Sequence, residues 1–94
     1  MNSSSPCVLA FDFGTTGCKS ILVDDKGHII RRATRDYPLI SSRIGYAEQD
    51  PTAWWVAIKE ITRETLRKIP AQDLEGIGFC GTMAVTLPVD KQGK

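Results

Sequence analysis

The chain has no surplus of either charge: 12 Lys and Arg stand against 11 Asp and Glu, a formal net charge of +1. A protein that grips nucleic acid by neutralising phosphates carries a basic excess or patch, so that class is set aside. Long apolar runs are missing too. A membrane span needs ~20 predominantly apolar residues, and the longest candidate, Cys7 to Phe11, meets Asp12 at once. Cysteine is scarce, and Cys7, Cys18 and Cys80 show neither paired nor C-x-x-C spacing. They read as reduced thiols of a cytoplasmic protein rather than as a disulfide framework. The lone His28 has no ligand-spaced partner, which argues against a metal centre built on it. Met1 to Pro6 lacks the positive start and apolar stretch of a signal peptide, so residues 1–6 are expected to be a flexible lead-in.

What remains is ordinary for a soluble globular fold, with 41% hydrophobic and 24% charged residues in 94, enough for one small domain. Cys7 to Phe13 is a short apolar run, closed by the turn composition Gly14-Thr15-Thr16-Gly17. Lys19 to Val23 resumes strand content and stops at Asp24-Asp25-Lys26-Gly27. His28 to Arg32 reads as a third strand, giving an antiparallel meander. Pro38 to Asp50 has no periodicity and reads as a loop. Asp50-Pro51 then signals a helix start, Asp capping first-turn N–H groups and Pro losing nothing at the next position. Trp55, Ile58, Ile61 or Thr62, Leu66 and Ile69 recur at helical spacing, and Pro70 is expected to end the helix. Gly76 to Gly81 reads as a strand whose glycines permit a close approach. Val85 to Val89 reads as a further strand, followed by a hairpin turn at Asp90 to Gly93. The expected order is β-β-β-α-β-β.

Three short motifs carry the chemistry. Asp12-Phe13-Gly14 spells the magnesium triplet of protein kinases, but that needs an ATP lobe upstream and only 11 residues precede it. Gly76-x-Gly78-x-x-Gly81 spells a dinucleotide fingerprint, yet its glycines follow a helix instead of opening one. Gly14-Thr15-Thr16-Gly17-Cys18-Lys19-Ser20 looks like a P-loop with the wrong spacing, opening a strand. Phosphate binding survives that failure, because a Gly- and Thr-rich hairpin can aim N–H groups and hydroxyls at an anion. Asp12 would sit beside the anion and act through Mg²⁺, often via the metal's waters. Lys19 adds a positive charge. Composition alone favours the plainer alternative, a hairpin with a solvated Asp and Lys.

Resemblance shifts that balance. Phe11 to Asp24, followed by Gly27, resembles the opening of the FGGY carbohydrate kinases. Gly45-Tyr46-Ala47-Glu48-Gln49-Asp50-Pro51 with Trp54-Trp55 resembles a second stretch of that family. Glu75 to Met83, with the hairpin at Asp90 to Gly93, resembles a third. Each piece is weak by itself, but three in order at family spacing are specific, and together they span nearly the whole chain after Pro6.

The resemblance implies an α/β fold of the ribonuclease H-like (actin-like ATPase) type. Residues 7–94 would be the N-terminal, incomplete part of the first domain. It also implies ATP and Mg²⁺ as cofactors, and transfer of the γ-phosphoryl to a hydroxyl of a sugar or polyol. Asp12 would organise the metal; Gly14, Thr15, Thr16 and Lys19 would hold the phosphates; Thr82 and Met83 would lie at the sugar pocket. Such transfer rests on positioning and charge stabilisation.

Two departures sharpen the expectation. Where xylulokinases of the family read Gln-Met-His, this chain reads Thr82-Met83-Ala84, and losing two hydroxyl-binding groups argues for a substrate other than xylulose. The family's catalytic base and adenine-binding residues lie later in the chain, so the 94 residues alone are expected to be inactive, the remainder of the kinase being their partner. An actin- or chaperone-like ATPase element, or a non-catalytic binding module, stays open beside this reading, as does self-association. Elsewhere, Trp55 is expected in the core with Trp54 covering a loop. Glu48, Gln49 and Asp50 read as loop anchors and a helix cap, and Asp24 and Asp25 as turn residues.

Overall fold

A computed structural model of the chain describes residues 6–45, 47–81 and 87–94. Three strands come first along the chain: β1 (Cys7–Phe13), β2 (Gly17–Asp24) and β3 (Ile29–Asp36). Helix α1 (Pro51–Thr65), a 3₁₀ turn (Ala71–Asp73) and β4 (Leu74–Cys80) follow. The sheet order is β3-β2-β1-β4. β1, β2 and β3 are antiparallel neighbours, as the two tight turns dictate, while β4 runs parallel to β1. A parallel partner requires a crossover, and α1 supplies it.

Alternation decides which face is the core. Cys7, Leu9 and Phe11 of β1 are buried, as are Cys18, Ser20 and Leu22 of β2 and Ala33 of β3. The register puts Leu9 opposite Leu22, Phe11 opposite Ser20, and Ser20 opposite Ala33, so these side chains share one face. Helix α1 lies on that face and buries Ala57, Ile61 and Thr65 against it. The opposite face carries Val8, Ala10 and Asp12 of β1 beside Val23, Ile21 and Lys19 of β2.

The helix starts as expected and ends early. Asp50 Oδ1 accepts from the Thr52 N–H at 2.9 Å, with Pro51 in the first turn. The last helical residue is Thr65, not one beside Pro70. The cause lies in β3: Arg31 Nη1 donates to the Thr65 carbonyl at 2.7 Å and to the Arg67 carbonyl at 2.6 Å. Carbonyls of the last turn have no intrahelical donor, and a guanidinium is a fitting partner for them. Lys68 then takes a left-handed conformation (φ 65°), which turns the chain before Pro70 is reached.

The tryptophan turned to the core is Trp54 and not Trp55, while Trp54 does reach the loop through its bond to Gln49. Trp55 is 58% exposed, whereas Trp54 packs partly buried against the core. Neighbours on a helix point about 100° apart, and Trp54 and Ile61, seven residues apart, differ by only about 20°. Trp54 is therefore the residue in line with Ile61 and Thr65.

Three other expectations need correction. β3 runs to Asp36 instead of stopping at Arg32, because its inward arginines reach over to α1: Arg35 donates to Glu60 at 3.1 Å and to Glu64 at 2.6 Å. Leu87, Pro88 and Val89 are not in a strand; among the described residues no ladder forms on them, and Pro88 lacks a donor. Val85 and Thr86 lie outside the described residues. The turn after them is present, with Asp90 Oδ1 accepting from the Gln92 and Lys94 N–H groups. Gly76, Gly78 and Gly81 do lie in or beside β4, yet a Cβ at any of them would meet nothing within 4 Å. The close approach is instead at Gly17, where a Cβ would fall 2.5 Å from the Arg35 carbonyl oxygen.

Candidate phosphate-binding hairpin

The turn between β1 and β2 is held by one hydrogen bond within it and three from other segments. Gly14 N–H closes the hairpin on the Gly17 carbonyl at 2.9 Å. The other carbonyls of the tip are taken from behind. Tyr37 Oη donates to the Gly14 carbonyl at 2.6 Å, Gln49 Nε2 to the Thr15 carbonyl at 2.6 Å, and the Tyr37 N–H to the Thr16 carbonyl at 3.1 Å. Because a trans peptide sets its C=O and N–H in opposite directions, tying back the carbonyls of Gly14 and Thr15 turns the N–H groups of Thr15 and Thr16 outward. Neither N–H has an acceptor among the described residues, and both residues are exposed. Two successive outward N–H groups are the elements of an anion-binding concavity.

Tyr37 itself is buried. Burial, reinforced by the neighbouring Cys18 and Asp12, pushes its phenol above the usual tyrosine value. The hydroxyl therefore stays protonated at neutral pH and able to donate. Gln49 is held in turn, since its Oε1 accepts from Trp54 Nε1 at 3.0 Å. The loop that carries Gln49 is pinned by the mutual backbone bonds of Ile40 and Glu48, at 2.6 and 2.7 Å.

Asp12 and Lys19 face each other across the hairpin as directly paired residues, and Asp12 also neighbours Cys80 of β4. Both are exposed, on the sheet face away from α1. No ion pair joins them among the described residues, so each charge is free to meet a ligand. No group of three or more His, Cys, Asp or Glu side chains able to hold a metal exists among the described residues. Asp12 therefore stands as a single carboxylate near the end of β1, three residues before Thr15. Gly14, Thr15, Thr16, Asp12 and Lys19 are thus brought together. Thr82, Met83 and Tyr46 lie outside the described residues.

The remaining polar residues do structural work. Asp24 Oδ1 accepts from the Lys26 and His28 N–H groups, and Oδ2 lies 3.2 Å from His28 Nδ1. These bonds, the one from His28 N–H foremost, hold its carboxyl below the usual range. Glu48, Gln49 and Asp50 act as loop anchors and cap, as expected, but Gln49's anchor is the hairpin itself. Tyr37 was not legible as a site residue: it precedes Pro38 at the end of a polar strand, and no periodicity marks it. No helix among the described residues is long and apolar enough to cross a membrane.

The fold matches solved sugar kinases of the actin-like ATPase fold. The gluconate kinase from Lactobacillus acidophilus matches with a TM-score of 0.89 at 27% identity, over 97% of this chain and 18% of its own. The ligand-bound xylulose kinase from the same organism matches at 0.88 and 27%, over 95% and 18%. In sequence, the xylulose kinase of Bacillus subtilis is 35% identical over 89 residues, 90% of this chain and 18% of the relative. The glycerol kinase of Francisella philomiragia is 32% identical over 90 residues, 94% and 18%. The profile of the FGGY family of carbohydrate kinases, N-terminal domain, matches residues 7–94, and the chain belongs to that family. It spans about 18% of the length of these relatives.

Proposed function

We propose that residues 7–94 form the phosphate-binding part of the first domain of an ATP-dependent sugar or polyol kinase. The observation that carries this is the pair of N–H groups at Thr15 and Thr16 without acceptors among the described residues, in the turn after Asp12 and before Lys19, in a chain of the FGGY family. In this reading Gly14 lets the hairpin approach the β- and γ-phosphates, the Thr15 and Thr16 amides and hydroxyls donate to their oxygens, and Lys19 offsets their charge. Asp12 is the residue that would hold a Mg²⁺, an ion commonly bound by one or two carboxylates with several waters retained. When bound, Mg²⁺ neutralises phosphate charge. The hairpin's part is to fix where that charge sits.

The substrate is a sugar or polyol, with Thr82 and Met83 at its pocket. The relatives act on xylulose and glycerol, and a structural neighbour on gluconate, so family membership leaves the acceptor open. Thr82 and Ala84, in place of Gln and His, favour an acceptor other than xylulose. The catalytic base lies outside these 94 residues, and one wall of a cleft binds nucleotide poorly, so this segment alone will not turn over. The test is ADP release by the native-length protein that carries it, screened over sugars and polyols. ADP formation that requires one of them supports the reading; ATP hydrolysis indifferent to all of them sinks it.

A further inference from the structure

We propose that Gln49, braced by Trp54, is a positioning residue for the hairpin. It sets the direction of the Thr15–Thr16 peptide and ties it to the first turns of α1. This rests on the nucleotide reading above. The chain of contacts is short and complete. Trp54 Nε1 donates to Gln49 Oε1 at 3.0 Å, which leaves the Gln49 amide nitrogen facing the hairpin. That nitrogen donates to the Thr15 carbonyl at 2.6 Å. The planar trans peptide then points the Thr16 N–H away from Gln49.

The side-chain types matter. A carboxamide both accepts and donates, and its two ends can be assigned only one way here, because the indole is solely a donor and the carbonyl solely an acceptor. Trp54 is fixed by packing in line with Ile61, and Gln49 immediately precedes the Asp50 cap. Any movement of the α1 N-terminus is therefore passed to the Thr15 carbonyl. Tyr37 performs the same service for Gly14 from the core side, at 2.6 Å. Unlike Tyr37, Gln49 belongs to the loop that reaches across from the helix, so the hairpin is gripped by two separate elements.

The test uses the native-length protein. Gln49→Met keeps size and neutrality while removing both hydrogen bonds, and Trp54→Phe keeps a ring while removing only the brace. Gln49→Met should raise the KM for Mg-ATP about tenfold, about what losing the one hydrogen bond that reaches the hairpin would cost, with the KM for the acceptor within about twofold. Trp54→Phe should move the same parameter in the same direction by less. A crystal structure of Gln49→Met should show the Thr15 peptide rotated. An unchanged KM for Mg-ATP, or an equal rise in both KM values, overturns the proposal, as does an unrotated Thr15 peptide. A wild-type protein without ATP-dependent transfer would instead overturn the kinase reading, and the rotation of the Thr15 peptide would still report on the relay.

Discussion

The two halves of the sheet's inner face are treated differently. Over β2 and β3, helix α1 closes the face: Leu22, Ile61 and Thr65, the last residue of the helix, are fully buried. Towards β4 the same face lies open. Phe79 is 64% and Ile77 49% exposed, although Phe79 stacks on Phe11 with ring centroids 5.3 Å apart. Apolar side chains of the same kind and register thus have different fates depending on whether a helix lies above them. The contrast shows where this segment carries its own stability, and the hairpin is anchored on the closed half, through Tyr37, Gln49 and Trp54.

If that comparison is right, deletions on the two sides will not cost the same. Leu22→Ala or Ile61→Ala should destabilise by about 2–5 kcal/mol, the range for buried Leu or Ile truncations. Ile77→Ala should cost well under half of that, because half of its surface is already in water. Denaturant titration of the purified variants measures both; equal losses would erase the distinction. Next in size is Gly17→Ala. Its Cβ would lie 2.5 Å from the Arg35 carbonyl and 3.0 Å from the Asp36 Cα, backbone atoms that cannot rotate away. A loss of about 1–3 kcal/mol, as for overpacked sites, should appear in the same titration, while Gly76→Ala on β4 should be nearly neutral.

The smallest effect is a reactivity difference. Cys80 is exposed, whereas Cys7 and Cys18 are buried, and burial pushes both buried thiols up, helped at Cys18 by the Asp12 charge and at Cys7 by Asp73 and Glu75. A buried, protonated thiol is a poor nucleophile. Iodoacetamide under native conditions should therefore label Cys80 first, read by peptide mass mapping. Equal labelling of all three would mean that the closed half does not stay closed.

Much of this architecture was legible in the residues. The meander follows from two turn clusters between apolar runs, and the α1 start from Asp50-Pro51. What escaped was set by contacts between distant segments. The helix ends at Thr65 because Arg31, 34 positions earlier, caps its carbonyls. β3 extends through Arg32 to Asp36 because its inward side chains are long enough to reach Glu60 and Glu64, so no apolar alternation marks it. The glycine that matters sterically is Gly17, not those of β4, since only the pairing of β2 with β3 reveals the Arg35 carbonyl beneath it. For the site, Asp12, the Gly14-Thr15-Thr16 tip and Lys19 stood out as a candidate hairpin, but local composition favoured a plain solvated turn there and the family resemblance was needed to favour a phosphate site. Tyr37, whose bonds run to residues 21 and 23 positions away, was not.

The most direct test of the central claim is Asp12→Ala in the native-length protein, with turnover and acceptor binding measured side by side. Loss of ADP formation with acceptor affinity nearly intact is the result expected of a carboxylate that works at the phosphate end of the site. Turnover retained at the wild-type level would contradict it.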